Sequence, residues 1–87
     1  MRKIIYAPIV SLDGYMVGSD GDLGGATLAE EFIRHDIVDE YRLYIYPVRF
    51  GGGKPMFPVS KQIRNLHLSE MQTFDGGVIM LCNTSTH

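Results

Sequence analysis

The sequence predicts a small α/β domain in which strands outnumber helices. Three observations support this prediction: short apolar runs rich in isoleucine, valine and tyrosine, one segment with helical periodicity, and several glycine-rich turns. The chain has 87 residues, of which 45% are hydrophobic and 21% charged, and this composition is typical of a globular protein. We therefore expect residues 1–87 to form a single domain around one core.

The first half of the chain predicts a strand, a loop and a helix. Residues 3–10 form an apolar run that is typical of a buried strand. Pro8 lies inside this run and has no N–H, so one hydrogen bond of the ladder must be missing there. Residues 11–25 contain five glycines and predict a long loop. Residues 27–34 place their apolar side chains on one face at helical spacing and predict a helix.

The second half predicts three strands. Residues 41–48 alternate between two faces and predict a strand, and residues 50–58 predict a loop with three consecutive glycines. Residues 66–74 and 78–82 predict two further strands. Because only the tight turn 75–77 separates them, we expect these two strands to form a hairpin.

Composition excludes several classes of function. The net charge is −2, from 8 basic and 10 acidic side chains, so no basic excess favours nucleic-acid binding. No apolar stretch approaches the roughly 20 residues of a membrane span. The single cysteine, Cys82, excludes an internal disulfide and a multi-cysteine zinc site, and the three histidines lack metal-ligand spacing, so we expect no metal. A reducing cytoplasm fits this cysteine usage.

Gly24 and Gly25 stand directly before the predicted helix. The free N–H groups and the positive end of the dipole at such a point bind anions, and glycines let the backbone approach a phosphate closely. A glycine-rich loop that merely ends at a helix is the alternative, since two glycines alone are a weak signal.

Two further loop motifs are weaker. The glycines before Lys54 do not form a Walker A loop, because Val48 and Pro55 replace the glycine and the hydroxyl residue that this motif requires. Asp20 and Asp22 fit the first positions of a calcium loop, but Gly24 stands where a third oxygen ligand belongs. A small calcium-binding protein is thus one alternative for the function of the chain.

Asp13 follows the first strand and is the candidate catalytic residue. A carboxylate at the end of a strand is well placed to orient a ligand or to relay a proton. An ordinary Asp-Gly turn is the structural alternative for the same residues.

Five motifs together resemble the RibD C-terminal-domain-like proteins, which are dihydrofolate-reductase-like. They cover nearly the whole chain in the family's order. The motifs are Ser11-Leu12-Asp13-Gly14-Tyr15, Gly24-Gly25-Ala26-Thr27-Leu28-Ala29, Ile37-Val38-Asp39-Glu40-Tyr41-Arg42-Leu43, Pro47-Val48 with the loop from Gly51 to Phe57, and Phe74-Asp75-Gly76-Gly77-Val78.

The resemblance implies a shortened dihydrofolate-reductase-like mixed sheet with about four strands, one main helix and a C-terminal β-hairpin. It implies an NADPH-dependent reductase of the dihydrofolate or riboflavin-biosynthesis type, the latter acting on a ribosylaminopyrimidine (5-amino-6-(5-phosphoribosylamino)uracil), with a pterin or pyrimidine substrate. The turn around Ser11 would lie beside the nicotinamide and the substrate, and Asp13 is the best candidate for the general acid. The residues that would receive the pyrophosphate are Gly24 and Gly25, with Ala26 and Thr27 of the same turn.

One departure from the family affects what the chain can do. The family places several strands and helices between the segments that here end at Leu23 and begin at Gly24, among them the region that binds the 2′-phosphate and the adenine of the cofactor. Their absence would expose apolar faces and strand edges, and a second copy would cover them, so we expect a homodimer, possibly by exchange of strands. A non-catalytic relative that acts as a binding or oligomerisation module is therefore the alternative to a reductase.

Overall fold

The computed structural model of the chain describes residues 3–17, 25–58 and 63–86. In these residues it shows a mixed sheet of five strands and one α-helix, as the sequence and the family resemblance predict. The sheet has the order β1, β3, β5, β4, and β2 pairs with β3 on the same side as β1. The elements are β1 Ile5–Tyr6, β2 Ile9–Val10, α1 Gly25–Arg34, β3 Glu40–Ile45, β4 Leu66–Thr73 and β5 Ile79–Ser85.

The predicted first strand is divided into β1 and β2, and this accounts for the fifth strand. Both pieces run parallel to β3, with Ile5 opposite Glu40 and Ile9 opposite Tyr44. Pro8 lies between the pieces and donates no hydrogen bond, but its carbonyl accepts one from the Tyr44 N–H at 3.1 Å. The proline thus interrupts the ladder as predicted, while the chain continues along β3.

The C-terminal hairpin is confirmed. β4 and β5 are antiparallel and are joined by a short 3₁₀ turn at Asp75–Gly77. Gly76 and Gly77 have φ angles of 85° and 87°, which side chains rarely adopt. A Cβ atom at Gly77 would also lie 3.3 Å from Cγ of Pro47, so this turn needs its second glycine for space as well.

β3 ends earlier than its alternating pattern predicts. The pattern extends to residue 48, whereas the strand ends at Ile45. Pro47 cannot continue the ladder, and the Val48 N–H donates to the Tyr46 carbonyl at 2.8 Å in a tight turn. β3 is the central strand, because it pairs with β1 and β2 on one side and with β5 on the other.

An aromatic cluster forms the core on one face of the sheet, which we call the aromatic face. The Tyr41 side chain is 6% exposed, and its ring centroid lies 6.4 Å from that of Tyr6 and 5.8 Å from that of Phe57. Burial raises the pKa of Tyr6 to about 12, with a smaller contribution from Glu30 of α1. The described buried apolar residues are Val10, Val38, Tyr41, Leu43, Met80 and Cys82.

The opposite face of the sheet holds a compact ion cluster. The Glu40 side chain is only 7% exposed and lies 3.6 Å from Nζ of Lys3 and within hydrogen-bonding distance of Nη2 of Arg42. Hydrogen bonds from Cys82 and Arg42 lower the pKa of Glu40 against the opposing effect of burial. A buried carboxylate is tolerated only when it is paired, so these partners keep Glu40 charged inside the sheet.

No helix among the described residues is long and apolar enough to cross a membrane.

Candidate functional site

The segment that follows β2 folds into a closed turn, residues 11–15, which we call the SLDGY turn. The Ser11 N–H donates to the Tyr15 carbonyl at 2.8 Å, and the Tyr15 N–H donates to Oγ of Ser11 at 3.0 Å. Gly14 has a φ of 88°, which suits a residue without a side chain. Ser11 is 1% exposed, so its hydroxyl holds the turn together from inside.

The Asp13 carboxylate joins the SLDGY turn to the glycine loop, residues 50–55. Its Oδ1 accepts hydrogen bonds from Oγ of Ser11 at 2.6 Å and from the Phe50 N–H at 3.2 Å. Its Oδ2 accepts one from the Gly51 N–H at 2.8 Å. The Ser11 bond is the largest cause that lowers the pKa of Asp13 to about 2, followed by the Gly51 bond.

These contacts favour a positioning role for Asp13. At neutral pH a carboxyl with this pKa is deprotonated, so it holds no proton to give to a substrate. Its hydrogen bonds instead fix two loops against each other. A direct catalytic role of Asp13 stays a prediction.

We expect the Asp13 hydrogen bonds to make folding more stable above about pH 4, which is near the usual pKa of an aspartate. Because the folded pKa is depressed to about 2, this contribution is lost as the pH falls from about 4 towards 2. Urea unfolding of the wild type and of Asp13→Asn at several pH values measures it. The two stabilities should differ most above pH 4 and converge below it, and a constant difference would contradict the assignment. Glu40, whose pKa is also lowered, titrates in both proteins and so does not affect the difference.

Further hydrogen bonds join the SLDGY turn and Met16, the residue after it, to the glycine loop and Met56, the residue after that loop, and the glycine loop also contacts α1. The Met16 N–H donates to the Lys54 carbonyl at 2.7 Å, and the Met56 N–H donates to the Gly14 carbonyl at 3.0 Å. Nζ of Lys54 lies 3.5 Å from Oε2 of Glu30 in α1. The turn, the glycine loop and the helix thus form one connected assembly.

The predicted phosphate-binding residues lie at the start of α1. Gly25 begins the helix and Ala26 and Thr27 follow in its first turn, whereas Gly24 lies outside the described residues. The first turn holds no acidic residue, so no negative charge there opposes an anion. A contact of Ser11, Gly24, Gly25, Ala26 or Thr27 with a cofactor stays a prediction.

The two aspartates of the possible calcium loop are not among the residues that the structure describes. Asp20 and Asp22 lie outside the described residues. Within residues 3–17, 25–58 and 63–86, no three His, Cys, Asp or Glu side chains group closely enough to hold a metal ion.

An open apolar cavity of about 470 Å³ lies on the face opposite the aromatic face, at the end of the sheet where β2 leads into the SLDGY turn. Tyr44 and Phe74 line it, with ring centroids 6.5 Å apart and planes inclined by 37°. The other residues that line it are Ala7, Ile9, Tyr46, Asp75 and Val78. Its volume lies within the range of about 300–1,000 Å³ that is usual for small-molecule sites.

The sequence did not indicate this cavity, because the alternation of residues 41–48 places Tyr44 and Tyr46 on one face of a strand and does not show what that face contacts. The signal that could have indicated the cavity was the pairing register of the hairpin with β3. Once the hairpin is placed beside β3, Tyr44 lies opposite Met80 near the turn, and Phe74 comes next to it.

A family model described as the RibD C-terminal domain matches residues 23–80. Over 58 residues the chain is 47% identical to the uncharacterized protein YyaP of Bacillus subtilis strain 168, a match that covers 67% of the chain and 31% of that protein. The chain therefore spans about a third of the length of this relative.

Solved structures share the fold. A protein assigned to riboflavin biosynthesis from Shewanella sp. PV-4 gives a TM-score of 0.66 at 17% identity, over 72% of this chain and 36% of that one. RibD of Acinetobacter baumannii gives 0.61 at 25% identity, over 72% and 19%. A pyrimidine reductase-like protein of Corynebacterium diphtheriae gives 0.63 at 20% identity, over 74% and 27%.

Proposed function

The chain belongs to the RibD C-terminal domain family, and from this premise we propose that it binds NADPH and acts as a reductase of the dihydrofolate or riboflavin-biosynthesis type. The observation that carries the proposal is the connected assembly of the SLDGY turn, the glycine loop and the start of α1. The family resemblance assigns the nicotinamide side of the cofactor to the SLDGY turn and the pyrophosphate side to the start of α1, and the glycine loop contacts both.

The residues present fit the proposal in two respects, the first for the dinucleotide and the second for the substrate. Gly25 opens a helix of ten residues whose first turn carries no acid, and this arrangement suits a pyrophosphate. The cavity beside Tyr44 and Phe74 is apolar and large enough for a planar ring. A pterin or pyrimidine ring is the substrate class that the proposal assigns to it.

NADPH would supply the hydride, and the chain's own residues would hold and shield the reacting groups. The Asp13 hydrogen bonds set the position of the SLDGY turn, against which the nicotinamide would lie. Tyr44 and Phe74 would stack with the substrate ring and exclude water from it. Lys54 forms an ion pair with Glu30, so we assign it the role of linking the glycine loop to α1 rather than that of binding a phosphate of the cofactor.

The proposal includes a cytoplasmic location and a homodimer. The single cysteine, Cys82, is free and buried, as suits a reducing compartment. A second copy would cover apolar side chains that are exposed in the single chain, Leu68 and Met71 among them.

Fluorescence titration of the purified chain with NADPH tests the proposal. We expect saturable binding with a dissociation constant in the micromolar range, about −8 kcal/mol at 1 μM. After binding is shown, turnover is measured with dihydrofolate and with the riboflavin precursor. Absence of binding at about 1 mM NADPH, where occupancy would be complete for any micromolar site, would refute the reductase proposal.

The second candidate function is a non-catalytic binding or oligomerisation module. The observation that favours it is the junction of Leu23 and Gly24, between which the family places several strands and helices. A chain that assembles but binds no NADPH in the same titration would support this candidate.

A further inference from the structure

β4 forms one edge of the described sheet, and its outer side is open. All eight of its residues are exposed, and among residues 3–17, 25–58 and 63–86 it pairs only with β5. The strand is longer than most and contains no lysine and no proline, two residues that often protect an edge from pairing with another chain, although Glu70 and a bulge, which also protect edges, lie within it. Such an edge offers a row of N–H and C=O groups to a further strand.

Hydrogen bonds at the two ends of the hairpin show which backbone groups point outward. The Phe74 N–H donates to the Val78 carbonyl at 2.8 Å, so in an antiparallel ladder the neighbouring Thr73 turns its groups away from β5. At the other end the Ser85 N–H donates to Asp39, on the β3 side, so the groups of Leu66 opposite Ser85 also point outward.

A bulge in β4 determines which residues point their backbone groups outward on its two sides. The register shifts between Leu68 and Glu70, where one extra residue is inserted. The outward-pointing residues on either side of it are therefore Leu66, Leu68, Met71 and Thr73. Their partners on β5 are Ser85, Asn83, Leu81 and Ile79, so their side chains all lie on the aromatic face of the sheet.

The strand is complementary to itself. In an antiparallel pair of two β4 strands about a two-fold axis, Leu68 can lie opposite Met71 of the second copy and Leu66 opposite Thr73. Without the bulge, residues 68 and 71 would lie on opposite faces, because side chains alternate along a strand. With it, both are on the same face and both point their backbone groups outward. Leu68 and Met71 are 52% and 61% exposed in the single chain.

We infer that two copies of this chain join edge to edge through β4, in the register that places Leu68 opposite Met71 of the second copy. The pairing would merge two sheets and bring the most exposed apolar side chains of β4 together at the axis. It gives a specific surface to the homodimer proposed above. It involves no cofactor contact, so it can hold or fail independently of the reductase proposal.

Charge limits the strength of this interface. His67 would lie opposite Gln72 of the second copy on the other face, and Glu70 would come next to the axis and to Glu70 of the second copy. Like charges this close oppose strand pairing by about 0.2–1 kcal/mol. The Glu70→Gln variant should therefore associate about two- to five-fold more tightly than the wild type, whereas Glu31→Gln, which removes the same charge from the exposed side of α1, should not.

Disulfide trapping tests the register. The double variant Leu68→Cys/Met71→Cys should form covalent dimers under mild oxidation, because each new thiol faces the other residue's thiol across the axis. The control Leu66→Cys/Leu68→Cys has the same number of thiols, but neither faces a thiol in this register. Equal crosslinking of both variants, or none of the first, would overturn the inferred pairing. Cys82 is buried and contributes little background.

Sedimentation equilibrium without NADPH tests the association itself. We expect the wild type to dimerise at about 100 μM or below and Leu68→Lys to lose at least tenfold in affinity, about 1.4 kcal/mol. Ile63→Lys is the matched control, since Ile63 is 87% exposed and lies outside β4. A wild type that remains monomeric, or a control that dissociates as much as Leu68→Lys, would refute the inference. If Leu68→Lys fails to fold, the Glu70→Gln variant and the disulfide-trapping experiment show whether the chains pair through β4.

Discussion

Replacing Tyr41 with alanine is expected to lower the free energy of unfolding by about 3–5 kcal/mol, the usual cost of removing a large buried aromatic side chain. Tyr41 lies on the central strand, is 6% exposed, and contacts the rings of Tyr6 and Phe57. Its loss would open a cavity where β1, β3 and the segment after the glycine loop meet. A domain of this size has a total stability of about 5–10 kcal/mol, so much of it would be lost.

Urea unfolding followed by circular dichroism measures this effect. Tyr46→Ala is the matched control, because Tyr46 lies just beyond the same strand and is 38% exposed. We expect the control to lose less than about 1 kcal/mol, as is usual for surface substitutions. Equal losses in the two variants would show that the aromatic cluster is not the centre of the core.

The Asp13→Asn variant is expected to bind NADPH at least tenfold more weakly than the wild type, about 1.4 kcal/mol. An amide at this position would direct an NH₂ group, in place of Oδ2, at the Gly51 N–H. If the amide group were rotated by 180°, the NH₂ group would instead face the Phe50 N–H, and the Ser11 hydroxyl would have to accept a hydrogen bond rather than donate one. Either way the link that Asp13 makes between the SLDGY turn and the glycine loop would be weakened. The surface proposed to receive the nicotinamide would then lose its shape.

Inorganic pyrophosphate provides the control ligand. Because it lacks the nicotinamide and would bind at the start of α1, its affinity should be nearly unchanged in Asp13→Asn, and isothermal titration calorimetry of both ligands gives the comparison. A parallel loss for pyrophosphate would point to general damage of the fold. Unchanged affinity for NADPH would remove Asp13 from the site.

Much of the fold was predictable because its signals are local. The hairpin followed from two strand-like runs separated by a glycine turn, and Gly76 and Gly77 adopt the positive φ angles that such a turn needs. Pro8 predicted a missing ladder bond, and the first strand is divided there. The predicted end of β3 was wrong by three residues, because the prediction followed the alternation of side chains to residue 48 and did not end the strand before Pro47.

The candidate site was only partly predictable, because its contacts are distant in sequence. Asp13 could be singled out from its place after a strand, but its partners Phe50 and Gly51 lie 37 and 38 residues away. No local pattern indicates that a carboxylate will be fully engaged by another loop. The depressed pKa of Asp13, and with it the positioning role, follow only from that three-dimensional contact.

The sheet topology also has a kinetic consequence. β4 and β5 are neighbours in the chain and can close through a short loop, whereas β1 must find β3 across some 35 residues, from Ile5 to Glu40. Contacts between distant residues cost more chain entropy to close, so parallel pairings of this kind form late in folding. The SLDGY turn lies at the end of β2, so it reaches the glycine loop only after that pairing. The proposed cofactor surface would thus be the last part of the molecule to assemble and the first to open.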